Sequence, residues 1–402
     1  MLDQFELTGG ESKIVSSVYP ALLVVPNTLL TTIAAIPTNK MANRTKQILS
    51  VPLLLTIFFI PFHFSVGNKV VDLIASLINY NTCLRYSEIF WIRPVVYQKP
   101  VYISPETLWI EFWSCLRTFP DKDTKQTYPK DKKFYHILSY LCVHFLVTDI
   151  LTNWATSFTG QEVMIMRHEK PVTYFVFYIV CIIVLNSAFN TIGYMLQLFY
   201  CVCFEGGSYA SEQWRPMMKN PILSHSLQDL WSDRWHWLFK STWLTMPFRP
   251  TRIITMRVLT KRVKQPKPIA FVAAFLSVFA ASAFMHEYVV ATNVGWHTYS
   301  TKFKGEQCVF FIGHGLGVLF EQMVCRTVVP KLPKKFQESS WMSILGHIWT
   351  ALFGFFTLHY IAHGFLSWGF QFDNPFQFTK PFVREYVYSH PALLAHFGSH
   401  FT

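Results

Sequence analysis

Charge is what this chain has least of. Asp, Glu, Lys and Arg make up 14% of its 402 residues, where a soluble globular chain carries about 25%. That deficit excludes a water-facing surface around the whole molecule. Also missing is any Gly/Ser linker, low-complexity block or repeat period, so residues 1–402 read as a single membrane domain. The first residues carry Asp3, Glu6 and Glu11 in place of a basic n-region, which argues against a cleaved signal peptide. Neither end carries a lipidation motif. Eight cysteines form no disulfide or zinc framework. Cys142, Cys181, Cys201, Cys203, Cys308 and Cys325 sit in or at apolar stretches, and only Cys201 and Cys203 are close in sequence. That is how small buried hydrophobes are used.

What the chain has instead is apolar length. Hydrophobic residues make up 51% of it, mean hydropathy is +0.26, and 38 Phe, 18 Tyr and 13 Trp suit lipid-facing surfaces and interfacial belts. Stretches long enough for a ~30 Å hydrocarbon core lie near 18–36, 48–64, 69–84, 134–152, 172–204, 269–294, 306–328 and 343–363. The expected fold is an all-α polytopic transmembrane protein of about eight spans. Asp72 and Asn79 make the third the weakest, and the fifth is long enough to tilt or to break near Asn186 to Asn190.

Loop charge orients the threading. The loops 37–47, 85–133, 205–268 and 329–342, with adjoining helix ends, hold 27 of the 35 Lys and Arg. Cytoplasmic loops carry that excess, so both termini are expected on the lumenal side, and the short loop with Lys40, Arg44 and Lys46 agrees. The net charge of +12 therefore speaks for orientation and contact with anionic lipid headgroups rather than nucleic acid. The basic loops also suit the phosphates of a nucleotide-like molecule such as coenzyme A.

Two constellations stand out. The first follows Pro221 in the large basic loop. Leu227, Trp231, Trp235 and Leu238 recur at helical spacing and predict an amphipathic helix on the cytoplasmic surface. Asp229, Asp233, His236 and Lys240 would share its other face, where a carboxylate beside an imidazole fixes its tautomer. An ordinary interfacial helix with a solvated polar face and anchoring Trp gives the same periodicity, so both readings stay open. The second is Ala280-Ala-Ser-Ala-Phe-Met-His-Glu-Tyr288 inside an apolar span. His286 and Glu287 are adjacent ionisable groups at membrane depth, where such groups line a cavity or pathway by default. The small residues at 280–283 admit a close helix neighbour. A histidine satisfied by an interhelical hydrogen bond is the competing account, and it also serves for His63, His144, His314, His347 and His359. Counted from residue 269, His286 lies roughly 25 Å along its helix, past the midplane.

Together these segments resemble the membrane-bound O-acyltransferase superfamily, in its wax synthase-like branch. The run Ser226-Leu-Gln-Asp-Leu-Trp-Ser-Asp-Arg-Trp-His236 is similar to the branch's loop motif, and Ser282-Ala-Phe-Met-His-Glu-Tyr288 to the motif around the active-site histidine. Phe310-Phe-Ile-Gly-His-Gly…Glu321 and Trp349-Thr350 match weaker features. The likeness covers about 200–360, the expected catalytic region, with the two main motifs in order and about 50 residues apart. Leu230 replaces an aromatic, Ser232-Asp233 replaces Gly-Arg, and His236 stands where many relatives carry Asn.

The resemblance implies direct acyl transfer from acyl-CoA, as co-substrate, to a lipid alcohol in the membrane of the endoplasmic reticulum. His286 would act as general base and His236 would position the thioester or its oxyanion. Asp229, Trp231, Asp233, Arg234, Trp235 and Glu287 would support them, with no metal and no bound cofactor. A wax ester from a long-chain alcohol is the first expectation, and acetyl transfer to a terpenoid or sterol hydroxyl the alternative. No Gly-x-Ser-x-Gly element supports an acyl-serine route. A di-iron enzyme would need more than the one helical pair His359-x-x-x-His363, and Val290 stands where a zinc protease motif needs its second His. A multi-pass lipid transporter would more often show repeated halves.

Overall fold

A hydrocarbon environment forces a chain to satisfy its backbone polar groups within each segment, and helices do this. Each apolar stretch indeed lies in a helix of the computed structural model, which describes residues 13–120, 128–373 and 377–401. Asp3, Glu6, Glu11 and the loop residues Lys122 and Lys125 lie outside the described residues. The long helices are α1 (Tyr19–Ala35), α2 (Asn43–His63), α3 (Lys69–Ser87), α4 (Phe134–Ala155), α5 (Pro171–Glu205), α6 (Pro266–Val294), α7 (Glu306–Thr327) and α8 (Ser340–Trp368). Six of them, all but α1 and α3, are long and apolar enough to cross a membrane; α1 is a shorter apolar helix. The protein is an integral membrane protein. Among the described residues, strand is confined to four two-residue segments: Ile14–Val15 pairs parallel with Phe64–Ser65, and Lys132–Lys133 antiparallel with Ser208–Tyr209.

The chain divides into two compact units, each assembled from separate segments. The first contains Met1–Trp109, Phe239–Leu316 and Tyr360–Asp373. Here α1 and α3 pack on α2, and α3 on α6, around buried Leu30, Ile57, Ile89 and Phe90. Lys46, expected in a basic loop, is fully buried and donates to the carbonyls of Ile36 and, at 2.6 Å, Val101. It thereby caps the exit of α1, where carbonyls lack helical partners. Asp72 likewise enters α3 as a local anchor, accepting from the Ser65 hydroxyl and from the Val66 N–H at 3.0 Å.

The second unit contains Ile110–Leu238, Gly317–His359 and Asn374–Thr402. Its principal pairing is α4 against α5. No break occurs near Asn186: α5 runs unbroken for 35 residues. Its polar residues serve a loop that docks on the helix.

That loop departs from the sequence reading. One amphipathic helix through 227–240 does not form. Residues 227–229 make one α turn, 230–234 a π turn, and Trp235 is extended at φ −70°, ψ 159°. Lys240 opens a separate turn, Lys240–Trp243. The amphipathic helix of this region comes later, at Arg249–Leu259. Side-chain and backbone bonds to distant residues outweigh the helical periodicity. Lys219 N–H donates to the Arg234 carbonyl at 2.9 Å, and Arg234 Nη1 donates back to the Lys219 carbonyl at 3.3 Å, fixing the chain where the helix would continue.

Candidate active site

The loop is held from below by one face of α5. Asn186, Phe189, Asn190 and Gly193 recur at i, i+3, i+4 and i+7, the spacing of a single helical stripe. Asn190 makes a reciprocal pair with Met218, accepting its N–H at 3.0 Å and donating to its carbonyl at 3.1 Å. Asn186 accepts the N–H of Asn220 at 3.1 Å, and Asn220 itself takes the left-handed conformation at φ 48°. A Cβ on Gly193 would sit 3.2 Å from the Met217 Cβ, tighter than ordinary packing, so a side chain here would press on the loop.

From the side, Glu321 of α7 grips the first turn of the motif. Its carboxylate accepts the N–H groups of Leu227 at 2.7 Å and Gln228 at 3.2 Å, and the Trp349 indole N–H at 3.1 Å. Ser226 caps the same turn by accepting the Asp229 N–H at 2.8 Å. Two orphan helix donors and an indole thus find one buried carboxylate.

This scaffold presents His236. Its ring stacks on Phe189, with centroids 4.8 Å apart and planes at 12°. Trp235 lies beside it at 5.9 Å, and Trp231 stands 5.1 Å from Trp235. Burial lowers the His236 pKa from 6.5 to about 4, so the imidazole is neutral at physiological pH. The two aspartates do not serve it as expected. Asp229 takes Arg234 Nε at 2.6 Å and His225 Nδ1 at 2.9 Å, while Asp233 takes Lys219 Nζ at 2.9 Å. The absence of a continuous helix removes their common face with His236, and Arg234 draws Asp229 inward.

His286 belongs to the first unit. Phe311 of α7 stacks on its imidazole at 4.4 Å and 26°, and Phe365 of α8 meets it edge-on at 6.0 Å. These walls make an apolar seat around one polar ring. One turn and more before His286, α7 comes close through a glycine of its own: a Cβ on Gly315 would fall 3.0 Å from the Phe279 ring. Since α6 begins at Pro266, His286 is about 30 Å along it. Glu287 has a separate task. It is 5% exposed and accepts the Cys308 N–H at 3.0 Å, in the first turn of α7, where the helix dipole favours a carboxylate. Elsewhere on α8, His363 Nδ1 lies within hydrogen-bond distance of Glu306, at 2.8 Å. The structure holds no group of three or more potential metal ligands among the described residues.

Residues 214–312 match the model of the membrane bound O-acyl transferase family. Over that quarter of its length the chain is similar to that family. The matched segment opens at the docked loop and closes on α7 one residue after Phe311, so it encloses both histidines. A long-chain-alcohol O-fatty-acyltransferase of Simmondsia chinensis is 27% identical over 133 residues, which cover 32% of this chain and 34% of that protein. The chain is thus matched along about a third of its relative's length.

Sequence reading placed His236, His286 and the loop motif, but did not identify the residues that position them. Asn186, Asn190 and Gly193 carried a signal, since they interrupt an apolar run at helical spacing. Glu321 and Trp349 were visible as family features without a task. Phe189, Phe311 and Phe365 had no signal, because 38 phenylalanines crowd the chain.

Proposed function

We propose that this protein transfers an acyl group from acyl-CoA to the hydroxyl of a lipid alcohol, forming a wax ester from a long-chain alcohol in the endoplasmic reticulum membrane. The observation that carries the reading is the family match across 214–312, which encloses the neutral His236 and the Phe-walled His286. In the proposed reaction the alcohol oxygen attacks the thioester carbonyl as His286 accepts its proton. The oxyanion of the tetrahedral intermediate takes a hydrogen bond from the His236 ring, which is held flat against Phe189. Collapse breaks the C–S bond, and the departing coenzyme A thiolate receives the proton from His286. Balance needs no metal or redox group.

Apolar walls around His286 favour an alcohol with a hydrocarbon body, and the long-chain-alcohol acyltransferase of Simmondsia chinensis points the same way. Purified protein incubated with a panel of acyl-CoAs and alcohols, read by lipid mass spectrometry, tests the reading. Long-chain esters are the expected product. Acetyl esters of a sterol or terpenoid would replace the substrate assignment, and no ester with any pair would reject acyl transfer.

A further inference from the structure

Several of the chain's cations are neutralised within the protein. Arg85 and Arg93 lie against Glu88, Arg117 against Glu205, Lys219 against Asp233 and Arg234 against Asp229. The stretch from Arg249 to Lys267 in the first unit is different. It holds seven Lys and Arg, and no acidic residue occurs anywhere between Asp233 and Glu287. All seven are exposed. None of them forms an ion pair among the described residues. Arg257 Nη2 donates to the Val96 carbonyl at 3.1 Å, while Lys261, Arg262, Lys264 and Lys267 occupy the turn after the helix and the start of α6. Uncompensated like charges repel one another, so this surface is favoured beside an anion.

The neighbouring side chains say what kind of anion. The Arg249–Leu259 helix runs back along the first turns of α6: Phe248 meets Phe271 edge-on at 5.9 Å, and Ser277 Oγ donates to the Pro247 carbonyl at 3.1 Å. On this pair of helices Ile254 and Val258, one turn apart, are 48% and 49% exposed, and Ile269 and Phe271 46% and 52%. Because α6 is long and apolar enough to cross a membrane, these side chains and the cations stand together at one end of a span. A soluble nucleotide would neutralise the cations and leave the apolar side chains in water. A membrane surface takes both, hydrocarbon against the apolar side chains and anionic headgroups against the cations. Pro250 alone is buried between Arg249 and Lys267, so no buried polar side chain cradles a single phosphate. Recognition then follows charge density rather than headgroup shape.

We propose that the surface from Arg249 to Lys267 docks on anionic phospholipid headgroups of the bilayer and gathers them by charge density, without selecting one headgroup. Such binding is independent of acyl transfer. The full chain would be reconstituted in phosphatidylcholine nanodiscs with a trace of photoactivatable phosphatidylserine, phosphatidylglycerol or phosphatidylcholine, and the cross-links mapped by mass spectrometry. Both anionic probes should label 249–267 to a similar extent and at least about fivefold more than the phosphatidylcholine probe, the factor that one Lys or Arg contributes near an anionic surface. Salt at roughly 0.5 M should remove most of that excess, because exposed charges are screened. The variant Lys261→Gln/Arg262→Gln/Lys264→Gln/Lys267→Gln should lose the excess. Lys261→Arg/Arg262→Lys/Lys264→Arg/Lys267→Arg should keep it, which separates lost charge from a lost fold. Equal labelling by phosphatidylcholine, or an excess that survives salt, would overturn the electrostatic docking. Strong preference for one anionic headgroup, or loss of label in the charge-retaining variant, would overturn recognition by charge density. Displacement of the lipid probes by micromolar coenzyme A would assign the surface to nucleotide phosphates instead, and no label in 249–267 would reject it.

Discussion

The Phe311 ring lies 4.4 Å from the His286 imidazole and 26° from parallel to it. A stacked aromatic wall keeps water from that face of the imidazole and limits how the ring can turn. If His286 is the base, His286→Ala abolishes ester formation in a protein that still inserts and binds acyl-CoA. The loss should be about 10⁴, the upper end for a general base, because bulk water does not readily replace it. His286→Gln keeps a hydrogen-bonding group without useful basicity and should be nearly as inactive. Single-turnover assays on monodisperse variants decide, and a fully active Gln variant would remove His286 from the chemistry.

His236→Ala should lower turnover about 10²–10³-fold, the usual effect of losing one oxyanion donor, whereas His236→Asn retains a measurable part. Wild-type turnover in the Ala variant would return this loop to a purely structural role.

Burial also gives His236 a pH signature. Its folded pKa of about 4 lies below the ordinary 6.5, so the unfolded chain binds the proton first. Its contribution to stability is complete above pH 6.5 and is lost as pH falls toward 4. Thermal unfolding between pH 4.5 and 7.5 should show a shallower acid decline in His236→Asn than in wild type. Identical slopes would contradict the burial of the imidazole.

Glu321 accepts three N–H donors, two from the backbone of the docked loop at Leu227 and Gln228. Glu321→Ala should destabilise the protein by about 2–4 kcal/mol, since hydrogen bonds to a charged group contribute about 1.5–3 kcal/mol each and solvent recovers part of the loss. Glu321→Gln, with one acceptor oxygen, should fall between. The measurement is unfolding in detergent, paired with ester formation, where both variants should lose kcat through displacement of His236. Unchanged stability in the Ala variant would show that the loop is held elsewhere.

With the basic loops facing the cytoplasm, as the Lys/Arg distribution predicts, Asn43 in the sequon Asn43-Arg44-Thr45 would lie on the cytoplasmic side. Its Oδ1 accepts the Val101 N–H at 3.0 Å, which further restrains the side chain. Asn43 should carry no glycan when the protein is made in a eukaryotic host, as a mobility shift on endoglycosidase treatment would test. A glycan at Asn43 would invert the topology.

Hydropathy and motif order made the membrane helices and the two histidines legible, because both are local: an apolar run in lipid has no alternative to helix, and a motif is a string of neighbours. The aspartates show where local reading stopped. Helical periodicity put Asp229 and Asp233 beside His236, but Arg234 and Lys219 took them, and the helix ended at Trp235. Asn186 was readable as polar interruption in a span, and its partner, the Asn220 backbone 34 residues away, was not.

The sequence by itself therefore determined that the chain lies in a membrane, where its long apolar helices run and which histidines stand out, since each follows from composition and spacing along one segment. Tertiary structure decided what holds those histidines. The Asn190–Met218 pair, the Glu321 grip on Leu227 and the Phe311 wall join residues 28, 94 and 25 positions apart. No period along the chain encodes such contacts; they form only because buried polar groups and rings must find partners once the helices have packed.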